Sequence, residues 1–174
     1  VRTFERLPAD KPADLPMPEA RLMLATSLLV FDNVAQTITA VVHVPVGADI
    51  VPDRAYDDAV ARLDELLSRL ASPAEPPRGG GAGAPAPVLS NVSPERYQEA
   101  VRRAKEYIYA GDVIQVVLSQ RFELPLRAAP VNVYRCLRTL NPSPYMFYLD
   151  YGDFQAAGAS PEVMARVEDG VVTV

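Results

Sequence analysis

Residues 145–160 read YMFYLDYGDFQAAGAS and residues 161–174 continue PEVMARVEDGVVTV. Aromatic and β-branched runs at Tyr145–Tyr151, Phe154–Gly158 and Met164–Glu168 read as strands, with turns at Gly152-Asp153 and Asp169-Gly170. Connections this short join antiparallel neighbours, because a parallel pair needs a crossover of a dozen or more residues. Val171–Val174 begins a further strand. The chain is therefore expected to be α+β, with a mostly antiparallel sheet and packed helices.

Working back towards the N-terminus, Val131 to Leu140 reads as a short helix with Val133, Tyr134, Leu137 and Leu140 facing in. Asn141-Pro142-Ser143-Pro144 stops it. Cys136 falls on its flank and reads as a small buried residue rather than a nucleophile, since no histidine accompanies it. Val113 to Leu124 reads as one long strand, continuously apolar in its first half as a central buried strand would be. Ser93-Pro94-Glu95 is a helix start, with a hydroxyl cap, proline at the first position and an acid in the first turn. Tyr97, Ala100, Val101, Ala104 and Ile108 form its inner face, and Gly111 ends it. Asn91-Val92-Ser93 matches a glycosylation sequon, which is idle without a leader. Further upstream, Arg21–Phe31 and Ile38–Val44 read as two antiparallel strands punctuated by Asp32-Asn33, with His43 on the outward face. A helix over Asp53–Leu70 carries the stripe Tyr56, Ala59, Val60, Leu63, Leu66, Leu67 and Leu70.

Two stretches read as connections. Residues 1–20 hold Pro8, Pro12, Pro16 and Pro18 without periodicity, as a tether does. In residues 72–90, 13 of the 19 positions are Pro, Gly or Ala, so that stretch reads as a flexible loop. It lacks the Gly-Lys-Ser/Thr ending of a phosphate loop. The expected organisation is thus a tether at 1–20, a strand pair plus helix at 21–71, the loop at 72–90, and a third region over 91–174.

Composition narrows the function classes. One cysteine excludes an intramolecular disulfide, and one histidine with one cysteine excludes the usual zinc sites. The net charge of −5 and the absence of a basic run argue against nucleic acid. No window of about 18 apolar residues exists, so neither a membrane span nor a secretory leader is expected, and the location is expected to be cytoplasmic. Residues 93–140 carry eight basic against five acidic groups, which leaves room for a small anionic ligand near the middle.

Two segments carry chemistry. In Asn141-Pro142-Ser143-Pro144-Tyr145-Met146-Phe147, two prolines lack N–H groups and hold their predecessors extended. The carbonyls left free suit an ammonium group, and Tyr145, Met146 and Phe147 offer ring and thioether contacts to an aromatic ligand. By physics alone a rigid helix-to-strand connection accounts for the same residues. Gly158-Ala159-Ser160-Pro161-Glu162 is a strand end turning into polar residues, for which a capped turn is the simplest reading.

The run Gly111–Phe122, then Asn141–Phe147, then Gly158–Glu162 resembles, in order and spacing, the large subunit of anthranilate synthase, component I, among the chorismate-utilising enzymes. The resemblance is close over 92–174 and looser over 15–70. It implies that 21–71 ends an N-terminal regulatory region and that 91–174 begins the chorismate-binding domain, cut short at its C-terminal end. It implies a lyase that converts chorismate and ammonia to anthranilate and pyruvate. It assigns Asn141, Pro142, Ser143, Pro144, Tyr145 and Met146 to a site for tryptophan as feedback inhibitor. Ser160, Pro161 and Glu162 become framework of the chorismate site.

The same resemblance implies a magnesium ion whose glutamate ligands lie beyond residue 174, and a glutamine amidotransferase subunit as partner. No catalytic or metal-binding residue is expected within 1–174. The Leu-Leu-Glu-Ser segment of the family's tryptophan site does not occur here. The expectation is a central piece that is inactive alone and self-associates through an unpaired edge at 171–174. Two alternatives stay open: an aminodeoxychorismate synthase component I of the aminobenzoate branch, and a non-enzymatic module that binds an aromatic amino acid.

Overall fold

The computed structural model describes residue 6, residues 15–75, residue 77 and residues 86–174. The Pro8 and Pro12 part of the expected tether and the glycine run at 79–83 lie outside these residues. The chain divides into two compact units, residues 1–74 and 75–174.

In the first unit, β1 (Ser27–Asp32) pairs antiparallel with β2 (Thr37–Val42), in a register that sets Ser27 opposite Val42 and Asp32 opposite Thr37. Asp32 closes the hairpin locally. Its Oδ1 accepts the Val34 N–H at 2.9 Å and the Ala35 N–H at 2.8 Å, which makes an Asx turn. Strand β1 begins at Ser27 rather than at Arg21: in the expected strand, only residues from Ser27 onward have partners on β2. Helix α1 (Pro52–Ala71) packs on β2. Its inward line is Ala55, Ala59, Leu63 and Leu66, of which Ala59, at 9 % exposure, is the one buried apolar residue among those described. Tyr56, Val60, Leu67 and Leu70 stay exposed. A two-stranded hairpin is too narrow to cover the whole width of the expected stripe. His43 is exposed, as read.

The second unit opens with β3 (Leu89–Ser90), followed by α2 (Pro94–Ala110) and β4 (Phe122–Glu123). The helix is capped as its sequence requires. Ser93 Oγ accepts the Arg96 N–H at 3.3 Å, Pro94 opens the first turn, and Gly111 sits at φ 83° with its N–H on Ile108 O. The Asp112 N–H reaching Tyr107 O at 3.0 Å completes a Schellman closure. Tyr97, Ala100, Val101 and Ala104 are half-buried, whereas Ile108 is exposed.

The long strand expected over Val113–Leu124 is not formed. Only Phe122–Glu123 enters a ladder, pairing with Leu89–Ser90. Asn91 extends that contact, because its Oδ1 accepts the Arg121 N–H at 2.9 Å while its own N–H donates to Arg121 O at 3.2 Å. That pairing accounts for Asn91 without any sequon. Residues 113–120 lie outside every described ladder, with Ile114 97 % and Val117 83 % exposed. An apolar run states that both faces want cover; it cannot supply the neighbouring backbone that makes a strand.

Helix α3 (Pro130–Leu140) packs on the next hairpin, β5 (Tyr145–Asp150) with β6 (Gln155–Ser160). Tyr134 and Leu137 are half-buried, while Val133, Leu140 and Cys136 are exposed. The reading of Cys136 as buried is corrected: it faces away from the hairpin that covers Tyr134. The ring of Tyr134 meets that of Tyr148 at 5.8 Å, and the Arg138 guanidinium lies over the Tyr134 ring at 5.8 Å from its centroid. The β5–β6 turn is held by Asp150, whose Oδ1 accepts the Gly152 N–H at 2.9 Å and Gln155 Nε2 at 3.0 Å. Finally β7 (Arg166–Glu168) pairs with β8 (Val171–Thr173) through Asp169-Gly170, both at positive φ as a two-residue primed turn demands. All four strand pairs among the described residues are antiparallel, so the α+β expectation holds.

Candidate functional site

The last turn of α3 hands the chain to the first singled-out segment. The Asn141 N–H donates to Leu137 O at 2.9 Å, and Asn141 itself leaves helical geometry at φ −140°, ψ 68°. Pro142 and Pro144 then bracket Ser143. The Ser143 Oγ is sealed from solvent and has no hydrogen-bond partner. A buried hydroxyl without a partner costs roughly 1–3 kcal/mol on mutational scales, so it stands out in an otherwise exposed connection. Tyr145 is exposed at the start of β5 and Met146 is half-buried on the opposite face. Alternation along the strand thus splits the pair that the sequence suggested would meet one ligand together.

The second segment sits directly across the same ladder. Tyr145 is the register partner of Ser160, Met146 of Ala159, and Phe147 of Gly158. Ser160 is therefore the last residue of β6 rather than the start of a turn, which moves the turn to Pro161-Glu162. Its Oγ donates to Glu162 O at 3.0 Å and so braces that turn. Ser160 is half-buried, whereas Pro161 and Glu162 are exposed. The hairpin thus brings one end of Asn141–Met146 and one end of Ser160–Glu162 side by side.

Sequence reasoning missed one feature of this pairing. The ring of Phe147 lies on the bare backbone of Gly158, where an added Cβ would fall 2.6 Å from Cε1 and nearer still to Cζ. Only knowledge of the register exposes this, since glycine opposite an aromatic is a cross-strand relation. An open groove of about 710 Å³ on the far side of α3, lined by Asn132, Arg135, Cys136 and Thr139 among others, includes no residue of Asn141–Phe147 or Gly158–Glu162.

Two carboxylates have their acidity raised by local bonds. Asp150 is held below the usual carboxylate range, first by the Gly152 N–H and then by the Gln155 amide. Glu95 is lowered by its own backbone N–H and by the Ser93 hydroxyl. Both are fully exposed and serve turn and cap rather than a reaction. Among the described residues no three His, Cys, Asp or Glu side chains come together as a metal set. Also among the described residues, no helix is long and apolar enough to cross a membrane.

Comparison with known proteins supplies the context for this geometry. The family described as chorismate binding enzyme matches residues 1–174. Anthranilate synthase component 1 of Pseudomonas aeruginosa is 44% identical over 180 residues, covering 100% of this chain and 36% of that protein. The protein of the same name from Thermus thermophilus is 42% identical over 166 residues, covering 95% of this chain and 34% of its own length. The crystal structure of anthranilate synthase component I from Streptococcus pneumoniae TIGR4 superposes with a TM-score of 0.64 at 31% identity, over 84% of this chain and 33% of that one. The chain spans about a third of the length of the relatives it matches.

Proposed function

The chain belongs to the chorismate binding enzyme family, and from that membership we propose that it is part of the large subunit of an anthranilate synthase. The observation that carries this reading is 44% identity, across the whole chain, to a protein named anthranilate synthase component 1. The reaction proposed for the parent protein adds ammonia to the ring of chorismate, expels the ring hydroxyl as water and releases the enolpyruvyl side chain as pyruvate, leaving anthranilate. Ammonia would come from glutamine through a separate amidotransferase subunit. Such a protein would work in the cytoplasm and would be inhibited by tryptophan.

Within these residues, the Asn141–Met146 segment would form one wall of the tryptophan site. The geometry suits that role in three ways. Two prolines withdraw N–H donors and so leave carbonyl oxygens for an ammonium group. Ser143 holds a buried hydroxyl with no internal partner. Tyr145 presents an exposed ring at the head of β5. Ser160 would act as a positioning residue for the chorismate site, its hydroxyl bracing the Pro161-Glu162 turn through Glu162 O. Magnesium would hold the substrate carboxylate, on ligands outside this chain.

Anthranilate fluorescence, read after mixing chorismate, ammonium and magnesium, tests the proposal in two arms. Residues 1–174 alone are expected to give no signal, because no catalytic set is present among the described residues. The full-length polypeptide is expected to give anthranilate. Turnover by 1–174 would overturn the claim of inactivity, and p-aminobenzoate as the product of the full-length protein would move it to the aminodeoxychorismate branch. Micromolar tryptophan binding by 1–174 alone would favour a self-sufficient binding module instead.

A further inference from the structure

The two singled-out segments are joined by an unbroken run of contacts. Helix α3 ends on Asn141, whose N–H is tied to Leu137 O at 2.9 Å. Two prolines make the link from Asn141 to Tyr145 stiff. Tyr145 then pairs directly with Ser160, and Ser160 braces the Pro161-Glu162 turn at 3.0 Å. On the α3 face of the same hairpin, Tyr148 rests against Tyr134 at 5.8 Å, so β5 is held to the helix as well as to β6.

Antiparallel partners are tied by their ladder bonds at a spacing of about 4.8 Å. Such a ladder alone tolerates shear and twist, and what removes the slack here is the next pair. The Phe147 ring lies against Gly158, where an added Cβ would fall 2.6 Å from Cε1 and 3.1 Å from Cε2, with Cζ nearer still. Although Phe147 is 45% exposed, its ring cannot move inward past the bare backbone of Gly158, so a displacement of β5 at this position is passed to β6. Tyr145, Phe147, Gly158 and Ser160 share one face of the hairpin by register.

We propose that Phe147 seated on Gly158 is the positioning pair through which a ligand on Asn141–Met146 displaces the Ser160-Pro161-Glu162 turn. This rests on the preceding reading that Asn141–Met146 takes tryptophan and that the parent enzyme uses chorismate. The coupling is reciprocal: tryptophan weakens chorismate binding by the same factor by which chorismate weakens tryptophan binding.

The test uses the full-length enzyme with Gly158→Ala and two independent readouts. The first is the coupling factor, taken as the chorismate KM at saturating tryptophan divided by that without it, beside the tryptophan Kd from calorimetry. In the variant the factor is expected to fall at least fivefold while the Kd changes less than threefold. The second readout needs no variant. Hydrogen exchange of the wild-type enzyme is expected to change in peptides covering 158–162 as well as 141–147 when tryptophan is added. An unchanged factor in a folded variant overturns the proposal. So does a Kd raised by more than tenfold, which marks a role in binding alone, and so does an exchange response confined to 141–147. If the wild-type enzyme takes up no tryptophan in calorimetry, the underlying reading fails and this inference falls with it.

Discussion

Replacing Ser143 by alanine separates a structural role from a ligand-binding one, because the two predict opposite signs. In the free protein the Ser143 Oγ is sealed from solvent and unpaired. Withdrawing a hydroxyl from water without a partner costs roughly 1–3 kcal/mol. Alanine removes that cost and leaves a void smaller than a methyl group, so Ser143→Ala should stabilise the folded state by about 1 kcal/mol. For a protein of this size such a gain raises Tm by about 2–4 °C. The ligand complex should respond the other way. If the hydroxyl finds its partner on tryptophan, the variant loses a hydrogen bond worth about 1.4 kcal/mol, a tenfold weaker Kd. The assay is urea unfolding followed by circular dichroism, paired with tryptophan calorimetry on the full-length enzyme. A variant that is less stable by more than about 0.5 kcal/mol shows that the hydroxyl is satisfied internally, and the reasoning is refuted. An unchanged tryptophan Kd refutes the second half alone.

Other expectations follow from local geometry. Gly111→Ala should destabilise α2 by about 1 kcal/mol, since Gly111 sits at φ 83° and nothing lies within 4 Å to compensate; faster amide exchange over 107–112 would show it, and unchanged exchange would count against the cap. The Asp150 carboxyl should titrate below that of a free aspartate. Its folded-state value is depressed, so its stabilisation of the β5–β6 turn is present above the unfolded value and lost as pH falls through the folded one, below about pH 4. A carbon-detected titration giving an ordinary aspartate value would remove that argument. Residues 1–174 should self-associate through the open edge of β8 expected at 171–174 and through the exposed apolar stretch at 113–117, and Ile114→Lys with Val117→Lys should reduce this; a compact wild-type monomer in sedimentation would contradict it.

Much of the local architecture was legible because its causes lie within a few residues. Ser93-Pro94 and Gly111 bound α2 through caps that each span one turn. Asp169-Gly170 specifies its hairpin through positive φ at two adjacent positions. Asn141–Phe147 and Ser160–Glu162 could be picked out from residue chemistry and resemblance, but not placed against one another.

What the sequence determined by itself is therefore the set of helices and hairpins, their turns, and the family likeness carried by Gly111–Phe122, Asn141–Phe147 and Gly158–Glu162. Tertiary structure decided three things that no periodicity contains. It left Val113–Gln120 without a ladder, because a strand is a relation between two backbones and an apolar pattern describes only one. It turned half of the α1 stripe outward, because burial depends on the width of the surface that covers it. It set Tyr145 against Ser160 and Phe147 on Gly158, because register is fixed by a turn ten residues of chain can reach around, and only that closure brings two distant segments face to face.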